Sequence, residues 1–146
     1  MTEDLSSNQL AETTPSLMNA RTTLPPVPQA PAAARRLVVT LLALWGPADL
    51  VELAELVVSE LVSNAVRHAG SDGDLELELT AGGGRVFVSV ADGSPTHPRV
   101  LPLDLERLGG RGMRLIDQVA TAWGVEDFIF GKRVWVELST ADGDTA

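Results

Sequence analysis

The chain has 146 residues, of which 45% are hydrophobic and 21% charged, with a formal net charge of -9 and no cysteine. That is the size of one domain with enough apolar residues for a core; the acidic balance argues against a phosphate-backbone partner, and the lack of cysteine excludes disulfides, thiolate catalysis and cysteine-ligated zinc. No apolar run reaches the roughly 18 residues of a membrane span, and the opening "MTEDLSSNQL" has neither the basic nor the apolar region of a signal peptide, so a cytoplasmic protein is expected.

Residues 1–16 are rich in Ser, Thr, Asn and Glu without periodicity and are expected to form a disordered tail. A short strand fits around Leu17–Leu24, before the prolines of "LPPVPQAP", which forbid a regular helix or a central strand. "AAARRLVVTLLALW", residues 32–45, is a helix ended by Gly46-Pro47. Asp49 is placed to cap a second helix that runs to about Ala69, with Gly70 as its C-cap. The period then changes. "DLELELT" alternates, with Leu75, Leu77 and Leu79 on one face, "AGGG" is a turn and "RVFVSVAD" a second strand, so residues 74–92 form a hairpin. Residues 93–109 carry three prolines and read as a loop. "GGRGMRLIDQVATAW" begins with glycines and becomes a helix, and "GVEDFIFGKRVWVELS" is a closing hairpin that turns at Gly131-Lys132. Residues 17–140 are thus expected to be one domain and 141–146 a C-terminal tail. The order of elements predicts an α+β two-layer sandwich, with helices covering one face of a mixed, mostly antiparallel sheet.

Three stretches carry candidate chemistry. Within "SELVSNAVRHAG", Glu60, Asn64 and His68 are four residues apart, and each step of four drifts by only about 40° around a helix. They form one stripe that continues into apolar Val57 and Leu53, while Glu52, Glu55, Ser59, Ser63 and Arg67 occupy the solvent arc. Either the helix emerges from the protein there, or the stripe is a site. A half-buried carboxylate needs a partner, and a hydrated divalent cation would suit the oxygens of Glu and Asn. Next, Asp92-Gly93 at the end of a strand is either a plain turn or a carboxylate that accepts from an exocyclic amine, with Gly93 permitting close approach. Lastly, the glycines of "GGRGMRLID" are either a flexible lead into a helix or a set of free backbone N–H groups aimed at an anion.

In this order, E-x-x-x-N-A-x-x-H on a helix, D-G after a strand and G-x-G opening a helix, the sequence resembles the GHKL (Bergerat-fold) ATPase superfamily. "SELVSNAVRHAG" matches its N box, "VADGSP" its G1 box and "GGRGM" its G2 box. Within that superfamily, the small size, "AARRLVVTLLALWG" and "KRVWVEL" look like the stand-alone anti-sigma factor serine kinases of actinobacteria, over about residues 20–140. The resemblance implies the Bergerat fold, ATP and Mg2+. It implies Asn64 as metal ligand, Glu60 as the acid that polarises water or a substrate hydroxyl, and Asp92 with Gly93 at the adenine. Gly110 and Gly112 would wrap the phosphates, with Arg111 and His68 adding charge near them.

There are departures. Ser94-Pro95 stand where the G1 box has a further glycine, the lid loop is short and proline-containing, and no phosphoacceptor-histidine helix accompanies the domain, so a complete histidine kinase is not expected. His97 in that loop has no cluster around it that would make a zinc site. The implied function is a regulator that holds a sigma factor inactive and phosphorylates a serine or threonine of its anti-anti-sigma antagonist, with no direct nucleic-acid or membrane partner and with a homodimer as the expected assembly. The alternatives are an ATP-binding module that sequesters a partner without phosphoryl transfer, and a structural protein with an empty pocket.

Overall fold

In the computed structural model, which describes residues 17–69, 73–94, 112–129 and 131–140, the alternating apolar segments become a five-stranded sheet. Its strands are β1 (Met18–Leu24), β2 (Leu75–Gly82), β3 (Arg85–Asp92), β4 (Ala122–Phe128) and β5 (Gly131–Ser139), in the order β1-β2-β3-β5-β4. Every pairing is antiparallel. Helices α1 (Ala30–Trp45), α2 (Val51–Ala69) and α3 (Gly112–Val119) complete the two-layer α+β architecture. The tails expected at 1–16 and 141–146, Gly70, His97 and most of the 93–109 loop lie outside the described residues. Among the described residues no helix is long and apolar enough to cross a membrane.

The strand period of two puts one apolar set inward. Leu75, Leu77 and Leu79 of β2, Val86, Val88 and Val90 of β3, and Val134, Val136 and Leu138 of β5 are all buried. They meet Val38 and Leu42 of α1, Val58, Leu61 and Val62 of α2, and Ile116 of α3. Burying each such side chain contributes about 1.5–3 kcal/mol. The β2–β3 turn needs its glycines: Gly82 pairs with Arg85, and Gly83 and Gly84 between them have φ of 61° and 75°. Positive φ at both central residues matches the twist of a two-residue hairpin.

Three boundaries differ from expectation. Asp49 does not cap α2; it lies within a 3-10 turn, Ala48–Leu50, that runs straight into the helix without a side-chain cap. There it places negative charge at the helix's positive end. The third helix stops at Val119 instead of reaching Trp123, because Thr121 N–H already bonds to Glu137 O across the sheet at 2.8 Å. Trp123 belongs to β4, and its indole N–H reaches back to Asp117 Oδ1 at 2.9 Å. Finally, Gly131 and Lys132 are not the turn of the last hairpin. Gly131 pairs with Phe128 and Lys132 with Asp127, so both are strand residues.

On the face away from the helices, Phe87 and Trp135 stack with ring centroids 5.8 Å apart. Beside them Arg133 bridges Glu76 at 2.7 Å and Glu78 at 3.5 Å, and Arg21 of the edge strand joins Glu78 at 3.0 Å.

Candidate functional site

α2 crosses the end of the sheet where β3 ends and β5 begins, and a narrow cleft of about 20 Å³, partly open to solvent, lies between them. Its walls are apolar: Leu61 and Ala65 from α2, Val90 from β3, Met113 from α3 and Val134 from β5. Its polar groups are Asn64 and His68 from α2, Asp92 from β3 and Lys132 from β5. The helix period explains the α2 set. Leu61 and Ala65 are buried against the sheet, and this anchors the adjoining arc of Asn64 and His68 at the mouth.

The stripe along α2 therefore divides. Asn64 and His68 reach the cleft, whereas Glu60, half-buried one turn earlier, does not line it. Among the described residues Glu60 has no hydrogen-bond partner. Asn64 Oδ1, the oxygen expected to face a metal, accepts a hydrogen bond from Arg67 Nη2. The solvent arc is also less open than expected. Ser59 is half-buried because α1 runs alongside, and its hydroxyl accepts from Arg35 Nη1 at 2.9 Å.

Asp92 ends β3 with its side chain 2% exposed. Its carboxylate is fully engaged on one side: Oδ1 accepts from Ser94 N–H at 2.8 Å and from Lys132 Nζ at 2.9 Å, and Oδ2 accepts from Lys132 Nζ at 3.0 Å. Lys132 Nζ, itself buried, also donates to Ser94 O at 3.1 Å. A carboxylate has about four acceptor positions, so Oδ2 keeps a lone pair for one more donor. Gly93 sits inside the turn closed by the Asp92–Ser94 bond. The sequence does not single out Lys132, because "GK" has the composition of a turn. The signal was present: stepping back by two from Leu138, Val136 and Val134 reaches Lys132 on the same inward face.

Gly112 opens α3 with φ +47°, and among the described residues nothing beyond its chain neighbours lies within 4 Å of where a Cβ would sit. Gly110 and Arg111 lie outside the described residues. No group of three His, Cys, Asp or Glu side chains capable of holding a metal occurs among the described residues. Asn64 would accordingly be one protein oxygen on a cation otherwise held by phosphates and water, a common arrangement for Mg2+. The cleft is thus an apolar slot with a buried acceptor at its closed end and a neutral amide at its mouth.

A comparison with curated proteins gives no match. A family model described as "Histidine kinase-like ATPase domain" matches residues 24–136, a span that holds α1, α2, every cleft residue and most of the sheet. The chain belongs to this histidine kinase-like ATPase domain family, of the GHKL type, and such a domain implies ATP binding.

Proposed function

We propose that the protein is a Mg-ATP-dependent anti-sigma regulator that transfers a phosphoryl group to a serine or threonine of an antagonist protein. The observation that carries the reading is the pairing of Asp92 at the closed end of the cleft with Asn64 at its mouth. Bound ATP supplies the phosphoryl group, and Mg2+ neutralises charge as it moves. The chain's residues do the rest by positioning. The apolar walls would take the base, Asp92 Oδ2 would accept from its exocyclic amine, and Asn64 Oδ1, bonded to Arg67 in the structure, would hold the metal. By the family resemblance, Gly110, Arg111 and Gly112 would enclose the phosphates. Glu60, unpartnered among the described residues and one turn from Asn64, accepts the proton of the attacking hydroxyl. The proposed partners are a sigma factor and its anti-anti-sigma antagonist, with the protein acting as a homodimer.

The second reading is an ATP-binding module that sequesters a partner without transfer. The position of Glu60 outside the cleft favours it. A pull-down from native lysate with and without Mg-ATP, followed by γ-labelled ATP on the captured proteins, separates the two. Label on serine or threonine of a captured protein supports the kinase, and nucleotide-dependent capture without label supports the module.

A further inference from the structure

The buried ion pair in the cleft has a second consequence. We propose that Lys132 is a base-reading residue, whose ammonium donates to N1 of adenine while the neighbouring Asp92 carboxylate accepts from the N6 amine. This rests on the ATP-site reading above and adds a specificity residue to it.

Lys132 and Asp92 are direct cross-strand partners on β5 and β3. Both side chains face the cleft and both are nearly sealed from solvent, at 4% and 2% exposure. Around them the walls are apolar, so they are the polar groups of the closed end. The contacts of 2.9 and 3.0 Å hold them side by side, and the closed end therefore presents an acceptor next to a donor. The Watson–Crick edge of adenine presents the complement, an N6–H donor next to the N1 acceptor.

Adenine offers a similar pair at N6 and N7, so the orientation must be decided. The ribose leaves the base at N9 and has to run towards the mouth, where Asn64 and the start of α3 lie. The edge farthest from N9 carries N6 and N1, and that edge enters first. N7 is next to the ribose-bearing side of the ring and stays nearer the mouth. An ammonium has three donors. They are placed on Asp92 Oδ1, Asp92 Oδ2 and, in the longest of the three contacts, the Ser94 carbonyl at 3.1 Å, and a shift of the Lys132 side chain that gives up the Ser94 carbonyl brings that donor to N1. A role limited to positioning Asp92 would leave N1 unread.

Calorimetry of the intact protein in Mg2+ with ATP, 1-deaza-ATP and 7-deaza-ATP tests this. Losing a hydrogen bond made by a charged group costs roughly ten- to hundredfold in affinity. Wild type should lose at least about tenfold on 1-deaza-ATP and should bind 7-deaza-ATP as it binds ATP. In Lys132→Met and Lys132→Thr the 1-deaza penalty should vanish. Equal binding of ATP and 1-deaza-ATP by wild type, a measurement independent of whether the variants fold, overturns the proposal. So does a penalty that persists in a folded Lys132 variant. Failure of ATP itself to bind would overturn the cleft assignment as a whole and is distinguishable from either result.

Discussion

A Cβ on Gly131 would stand 1.9 Å from the carbonyl oxygen of Asp92 and 2.8 Å from the Cα of Gly93. The obstacle is backbone, which cannot rotate away, and φ at Gly131 is +152°, where side chains are strained. The start of β5 is thereby pressed onto the end of β3, and this brings Lys132 over Asp92.

Gly131→Ala should force the two strands apart. Overpacking and backbone strain each cost about 1–3 kcal/mol, so a fall in Tm of about 10 °C or more is expected, with loss of ATP binding. Gly124→Ala is the control: its Cβ meets the Trp135 indole at 2.7 Å, a side chain that can move. It should melt closer to wild type and shift tryptophan fluorescence. Thermal melts of both variants check the contrast, and a Gly131→Ala protein as stable as wild type would deny the close approach.

Acid should release the edge strand first. Burial alone would raise the Glu78 carboxyl, but hydrogen bonds from Asn19 and Arg21 and the charges of Arg21 and Arg133 outweigh it and hold the group below its ordinary value of 4.5. The folded state therefore binds this proton less readily than the unfolded chain. The pair's contribution is complete above about pH 4.5 and is lost as pH falls through the lower folded value. Asn19 and Arg21 lie on β1 and Glu78 on β2, so hydrogen exchange should show the β1 amides losing protection before those of β3 and β5. Glu78→Gln should remove that difference between pH 7 and pH 4.

Where local pattern and tertiary demand agreed, the sequence was a sufficient guide. Leu75, Leu77 and Leu79 alternate because one face of β2 is buried, and Gly83-Gly84 announce the turn through their own geometry. The misreadings share a cause. Trp123 continues an acceptable helical pattern and is drawn into β4 by a bond between Thr121 and Glu137, sixteen residues apart. Gly131-Lys132 has the composition of a turn, and what makes Lys132 a buried strand residue is Asp92, forty positions earlier. Asn64, His68 and Asp92 were legible as cleft residues because each ends or lines an element with a clear period. Glu60 shares the period of Asn64, but 3.6 residues per turn carries it around α2 and out of the cleft.

Asn64 is the metal-binding oxygen of the proposed site, and its present partner, Arg67, is on the same helix. Asn64→Ala removes the ligand. Even outer-sphere supports of metal sites are worth about 10–100-fold in affinity, so the variant should lose at least about tenfold in Mg-dependent ATP binding while keeping its metal-free affinity. Titration with and without Mg2+ checks this, and an unchanged Mg2+ dependence would remove Asn64 from the metal.

Glu60 decides between the kinase and the binding module. It lies one helical turn from Asn64 but outside the cleft, so the base and sugar need not touch it. Glu60→Gln keeps the size and one acceptor oxygen and loses the basicity. ATP affinity should accordingly stay within about twofold of wild type in calorimetry, because the residue is not a wall of the site. Proton acceptance by a placed base is worth about 10²–10⁴ in rate, so transfer to the captured antagonist should fall at least about a hundredfold. The measurement is made on the antagonist, since a base held outside the cleft acts on a hydroxyl that the partner brings to it. If both proteins transfer equally well, phosphoryl transfer stands and Glu60 is not its base. If affinity and transfer fall together, Glu60 acts through the fold of α2, and its place beside Asn64 is structural.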